Sequence, residues 1–122
     1  RDVLGSRGLG DVYKRQVIKS TQPRSLGQAV SSSTAQQVKE TMLDVVEEGS
    51  GGAAAVAGVN VAGKTGTAET GTHVNSVFVG FAPYDTPTVA ISVMLENYDV
   101  HGVKATYVAS QVLSAALSAQ GL

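Results

Sequence analysis

The run Gly63-Lys64-Thr65-Gly66-Thr67 is where this chain has the residue types and spacing for chemistry. Between residues 49 and 83 the only full charges are Lys64 and Glu69. A single cation among Gly, Ala, Val and Thr offers an anion a counter-charge, with hydroxyl donors close by. Two arrangements fit the letters. Gly58 to Thr65 spells G-x-x-x-x-G-K-T, a loop that cradles phosphates at the start of a helix. The same lysine could instead lie on an edge strand beside a site of serine acylation.

The flanking elements decide between the two. A phosphate loop needs a buried strand before Gly58 and a helix beginning at Lys64-Thr65. Upstream lies Gly51-Gly52-Ala53-Ala54-Ala55-Val56-Ala57, poor in branched strand formers. Downstream, Gly66, Thr67, Thr70, Gly71 and Thr72 disfavour a helix. Val59 and Val61 read as strand residues, so the nucleotide-binding reading is kept only as a remote alternative.

Ser31-Ser32-Ser33-Thr34 offers N-caps, and Ala35, Val38, Met42, Val45 and Val46 fall on one helical face. The spacing predicts a helix over residues 34–48, stopped by a left-handed Gly49. Three strands are expected at residues 59–68, 74–82 and 88–96. In the last, Val89, Ile91, Val93 and Leu95 alternate with Ala90, Ser92 and Met94; both sets are largely apolar, which predicts cover on both faces. Pro83-Tyr84-Asp85-Thr86-Pro87 is a tight connection that makes the second and third strands an antiparallel hairpin. Ala105, Val108, Ala109, Val112, Leu113, Ala116 and Leu117 outline a second helix after Gly102. Residues 17–28 suggest a short strand remnant with a turn at Pro23. The order helix, three antiparallel strands, helix is an α+β unit.

The extended match around the lysine resembles a known family. Val61 to Glu69 is similar to the V-A-G-K-T-G-T-A-E stretch of penicillin-binding protein transpeptidase domains. Ser33-Thr34-Ala35, Met42, Val45-Val46 and Gly49 resemble the helix before it. Phe78-Val79-Gly80-Phe81-Ala82-Pro83 and Val89-Ala90-Ile91-Ser92-Val93 resemble the next two strands. Where relatives often carry Trp before this Phe, the chain has Val77, a change of packing rather than chemistry. The resemblance runs from Val17 to about Leu117 and looks most like class B enzymes, with an actinobacterial source as one option.

The resemblance implies a partial penicillin-binding/β-lactamase-like transpeptidase fold and a peptidoglycan D,D-transpeptidase acting through a serine acyl-enzyme. Lys64 would orient the donor's terminal carboxylate, and Thr65 and Thr67 would hydrogen-bond it. Gly66 would let substrate approach the strand backbone. The Thr67 amide would be half of an oxyanion hole. No metal or organic cofactor is implied. The implied partners are the peptidoglycan stem peptide, β-lactam antibiotics as inhibitors and cell-wall synthesis proteins. The implied location is the extracytoplasmic face of the membrane, through an anchor outside this chain.

The family's S-x-x-K and S-x-N motifs do not occur here. The chain is therefore read as residues 17–122 of a C-terminal transpeptidase portion, with the nucleophile upstream. Alone it is expected to be inactive and marginally stable. Residues 1–16 resemble a translated adapter-like run at the ends of assembled metagenomic reading frames and are read as non-native. The alternative within the same family is a non-catalytic β-lactam-sensing or structural domain.

Composition agrees with one domain or part of one: 122 residues, 43% hydrophobic and 16% charged. A formal net charge of -1, with no basic cluster beyond Lys14-Arg15, gives no support to nucleic-acid binding. The absence of cysteine excludes disulfide and thiolate-metal frameworks. His73 reads as a solvated loop residue without metal partners, and Glu69 as a solvated strand end. Tyr84, Asp85, Tyr98 and Asp99 read as turn residues, and Arg24, Lys39 and Lys104 as surface charges.

Overall fold

A computed structural model describes residues 20–122. The elements run helix α1 (Ser32–Glu47), a short 3-10 turn (Gly52–Ala54), strands β1 (Ala62–Glu69), β2 (Val74–Ala82) and β3 (Val89–Leu95), a one-turn helix α2 (Tyr98–His101) and helix α3 (Ala105–Ala119). The expected α+β order is present. The first 16 residues and the start of the expected 17–28 strand lie outside the described residues. Residues 20–28 form no helix or strand, and no described strand pairs with them.

Helix α1 begins where its hydroxyls predict. Ser31 is the N-cap, and its Oγ accepts from the Thr34 amide at 3.1 Å. Its end differs from expectation. Glu48 is the C-cap, and Gly49 is not among the positive-φ glycines. The reason for glycine there is closeness: a Cβ at Gly49 would lie 3.0 Å from the Val45 carbonyl oxygen, and one at Gly51 would lie 2.9 Å from it. The Gly51 amide donates to that same oxygen at 2.8 Å, turning the chain toward the sheet. Of the predicted face, Val46 is buried and Val45 and Met42 half-buried, while Ala35 and Val38 remain exposed.

The sheet has the order β1-β2-β3, all antiparallel. β1 starts three residues later than expected. Val56 and Val59 form an isolated bridge around Gly58, whose φ is +79°, so this stretch is used in a local turn first. The register sets Lys64 opposite Val79, Thr65 opposite Phe78, Gly66 opposite Val77 and Thr67 opposite Ser76. The β2–β3 hairpin closes as predicted, with Ala82 opposite Val89. β3 corrects the two-sided expectation: Val89, Ile91, Val93 and Leu95 are half-buried, but Ala90, Ser92 and Met94 are exposed. Among the described residues, helices cover only one face of that strand.

Phe78 is the largest fully buried side chain of the core, which also holds Val46, Ala54, Val61, Ala82, Ala105, Ala109, Leu113 and Leu117. Ala105, Ala109, Leu113 and Leu117 recur every fourth residue, so α3 lays one narrow stripe on the sheet. Its small residues let the helix come close. Ser110 Oγ donates to the Ala55 carbonyl at 3.0 Å and ties α3 to the turn before β1.

Candidate active site

The alternation of a strand divides the lysine motif between two faces. Thr65 and Thr67 share a face with Phe78 and Ser76, their cross-strand partners; Lys64 and Gly66 share the other with Val79 and Val77. The Ser76 hydroxyl accepts from the Ala105 amide at 3.0 Å, which fixes the start of α3 beneath Thr67. Burial changes abruptly along β1: Ala62 and Gly63 are buried, Thr65 is half-buried, and Lys64, Gly66, Thr67 and Glu69 are exposed. β1 is an edge strand among the described residues, so its polar half faces open space.

The three Thr-Gly-Thr residues come together in one trough. A cavity of about 110 Å³ is lined by Ser50, Thr65, Gly66, Thr67, Lys104 and Thr106, among others. Ser50 and Thr65 hydroxyls lie 2.8 Å apart, so the loop after α1 holds the Thr65 side chain. Lys64 is not in that lining; its Nζ donates to the Thr65 carbonyl at 2.8 Å. A larger hollow of about 540 Å³ lies against β3, lined by Met94, Leu95, Val103 and Val108 among others. It is predominantly apolar, with Glu96 and Tyr98 as its polar lining residues; the small polar trough, which Thr65, Gly66 and Thr67 line together, is the candidate site.

Gly66 is the informative glycine. A Cβ there would meet nothing closer than the Val77 Cβ at 3.5 Å, an ordinary contact. Packing within this chain therefore does not require glycine, whereas an open approach to the strand backbone does.

The nucleotide-loop reading fails on this geometry. Lys64 and Thr65 lie inside a strand, and no helix starts there. His73 is more constrained than its sequence context suggests. Its Nδ1 lies 3.3 Å from Asp99 Oδ2, and Asp99 Oδ1 accepts from the Val74 amide at 3.0 Å. The Val74 hydrogen bond is the main cause that holds the Asp99 carboxyl below its ordinary 3.8; burial opposes it and His73 assists. Asp99 thereby pins α2, and with it Tyr98, to the turn between β1 and β2. Lys39 is also more than a surface charge: its Nζ stands 4.3 Å from the centre of the Tyr84 ring. Glu69 ends β1 exposed, as expected.

A family model described as the penicillin binding protein transpeptidase domain matches residues 9–117. The chain belongs to this family. It is 35% identical over 95 residues to stage V sporulation protein D of Bacillus subtilis, covering 71% of this chain and 15% of that protein. A crystal structure of the D,D-transpeptidase domain of a peptidoglycan glycosyltransferase from Eggerthella lenta is similar with a TM-score of 0.73 and 42% identity, over 88% of this chain and 25% of that one. Penicillin-binding protein A from M. tuberculosis, solved as an imipenem acyl-enzyme complex, is similar with a TM-score of 0.65 and 33% identity, over 84% and 23%. The chain thus spans about a quarter or less of each of these relatives, and the fold it shares with them is part of the penicillin-binding transpeptidase fold.

Sequence reading singled out Lys64, Thr65, Gly66 and Thr67, and the structure brings the last three together in the trough but not Lys64. Ser50 lies in the Gly49-Ser50-Gly51 loop after α1, which the sequence reading did not single out. Ser76 and Thr106 looked like ordinary element residues, and Lys104 like a surface charge.

Proposed function

We propose that this chain forms the Lys-Thr-Gly wall of a peptidoglycan D,D-transpeptidase, with a serine nucleophile supplied by sequence beyond these residues. One observation carries the reading: a family-matched Lys-Thr-Gly-Thr run lies on an open edge strand, and its Thr-Gly-Thr part lines a polar trough. The donor is a stem peptide ending in a carboxylate. Lys64 gives that end a counter-charge across the strand edge, and the Thr65 and Thr67 hydroxyls hydrogen-bond it. Gly66 lets the peptide lie against β1.

The serine hydroxyl attacks the penultimate D-Ala carbonyl, and its proton passes to a base in the same missing wall. The Thr67 amide donates to the oxyanion as it forms. The terminal D-Ala leaves with a proton on its amine. An amine of a second stem then attacks the ester, restoring the serine and forming the crosslink. A β-lactam acylates the same serine and blocks the cycle. The reaction is set outside the cytoplasmic membrane, where peptidoglycan and its synthesis proteins lie. No helix among the described residues is long and apolar enough to cross a membrane.

Fluorescent penicillin provides the test. The complete protein is expected to label covalently, and the label to be lost when its S-x-x-K serine is replaced. This 122-residue chain, which has no S-x-x-K, is expected to remain unlabelled. Labelling of the isolated chain would overturn the proposed division of the site. Labelling of the complete protein without turnover of a D-Ala-D-Ala donor would favour the sensing domain.

A further inference from the structure

The trough contains a cation that the Lys-Thr-Gly motif does not include. Lys104 immediately precedes α3 and lines the cavity together with Thr65, Gly66 and Thr67. It is exposed and takes part in no ion pair among the described residues, where the one such contact joins His73 and Asp99. Thr106, only 4% exposed, lines the cavity from the first turn of the same helix. The position of this corner is fixed: the Ala105 amide is held by Ser76, directly across the ladder from Thr67.

The two lysines therefore approach the strand edge from different sides. Lys64 is on the Gly66 face of β1, with its ammonium on the Thr65 carbonyl. Lys104 is in the trough that Thr65, Gly66 and Thr67 line. An anion seated in the trough against Gly66 would therefore meet Lys104 as well as the motif. The positive end of the α3 dipole adds to the potential on the trough side; the N-cap residue Lys104 makes no side-chain cap bond there, and Ser76 takes up the Ala105 amide.

We propose that Lys104 is a second cationic contact for the donor's terminal carboxylate, and so a determinant of preference for an acidic over a neutral donor end. The inference rests on the D,D-transpeptidase reading and extends it to a residue outside the motif. A carboxylate held by two ammonium groups and two hydroxyls discriminates strongly against its ester, because the ester removes the charge that all four donors face.

The experiment uses the complete protein and two probes, a penicillin and its methyl ester, with second-order acylation rates measured for each. Replacing Lys104 by alanine is expected to slow the carboxylate probe about tenfold, the scale of one lost hydrogen bond to a charged group. The ester rate is expected to stay within about twofold, because the ester brings no charge to that contact. Lys104→Arg should restore much of the preference. Equal losses on both probes would show a structural role, and no loss on either would show an idle lysine; each overturns the proposal. Failure of the wild-type protein to react with either probe would instead remove the transpeptidase reading itself, and this inference with it.

Discussion

The two halves of β1 contain glycines for opposite reasons. At Gly63 a Cβ would collide with the Phe78 ring and lie 2.9 Å from the Val79 carbonyl oxygen. Across the ladder, Gly80 is equally confined, with a Cβ 2.7 Å from the Ala62 carbonyl oxygen. Three residues along, a Cβ at Gly66 would make only an ordinary 3.5 Å contact with the Val77 Cβ. The buried half of the strand uses glycine to admit an aromatic ring into the core. The exposed half leaves a side chain out where nothing inside the chain needs it out. One strand thus combines a buried anchor and an exposed edge, the edge that the proposed function uses, and packing of the first fixes the position of the second.

Substitutions that separate stability from rate would break or sharpen this contrast. The largest effect is expected from Gly66→Val in the complete protein: acylation by penicillin should fall on the order of 10²-fold, the cost of a misplaced substrate, with the melting temperature little changed. A large loss of stability would mean that Gly66 belongs to the core after all. Gly63→Ala should do the reverse. Overpacking against Phe78 is expected to cost about 1–3 kcal/mol in urea unfolding, with activity per folded molecule retained. A neutral Gly63→Ala would remove the packing account of that glycine.

The smallest effect concerns the pin at Asp99. Its carboxyl is held below 3.8, mainly by the Val74 amide. A depressed value stabilises the fold above the ordinary one, and that contribution is lost as pH falls through the folded-state value. Asp99→Asn should therefore melt with a smaller drop between about pH 6 and about pH 3 than the wild type. An identical acid profile for both would show that Asp99 contributes nothing to acid sensitivity.

The helices and strands were legible because their patterns are local. A hydroxyl run marked the start of α1, a period of two marked β3, and Pro83 with Pro87 marked the hairpin. The boundaries that shifted depend on contacts the pattern does not contain. Val59 is strand-like by type, yet its pairing with Val56 around Gly58 delays β1. Gly49 looked like a left-handed stop, but what matters is the Val45 carbonyl beside it. In the site, Lys64 to Thr67 could be read from their letters. Ser50 and Lys104 could not, since 13 residues lie between Ser50 and Lys64, and Lys104 arrives only through the packing of α3 on the sheet. The face assignment also needed the register, which sets Thr65 and Thr67 with Phe78 and Ser76 and leaves Lys64 opposite.

The central claim is that the exposed half of β1 is one wall of an acyl-transfer cleft. The second-order rate of acylation of the complete protein by fluorescent penicillin, compared between wild type and Lys64→Ala, tests it most directly. The account predicts a fall of roughly 10-fold or more, the loss of a charge-assisted contact to the carboxylate, with the fold retained. Unchanged kinetics in a folded Lys64→Ala variant would contradict it and remove Lys64 from the site.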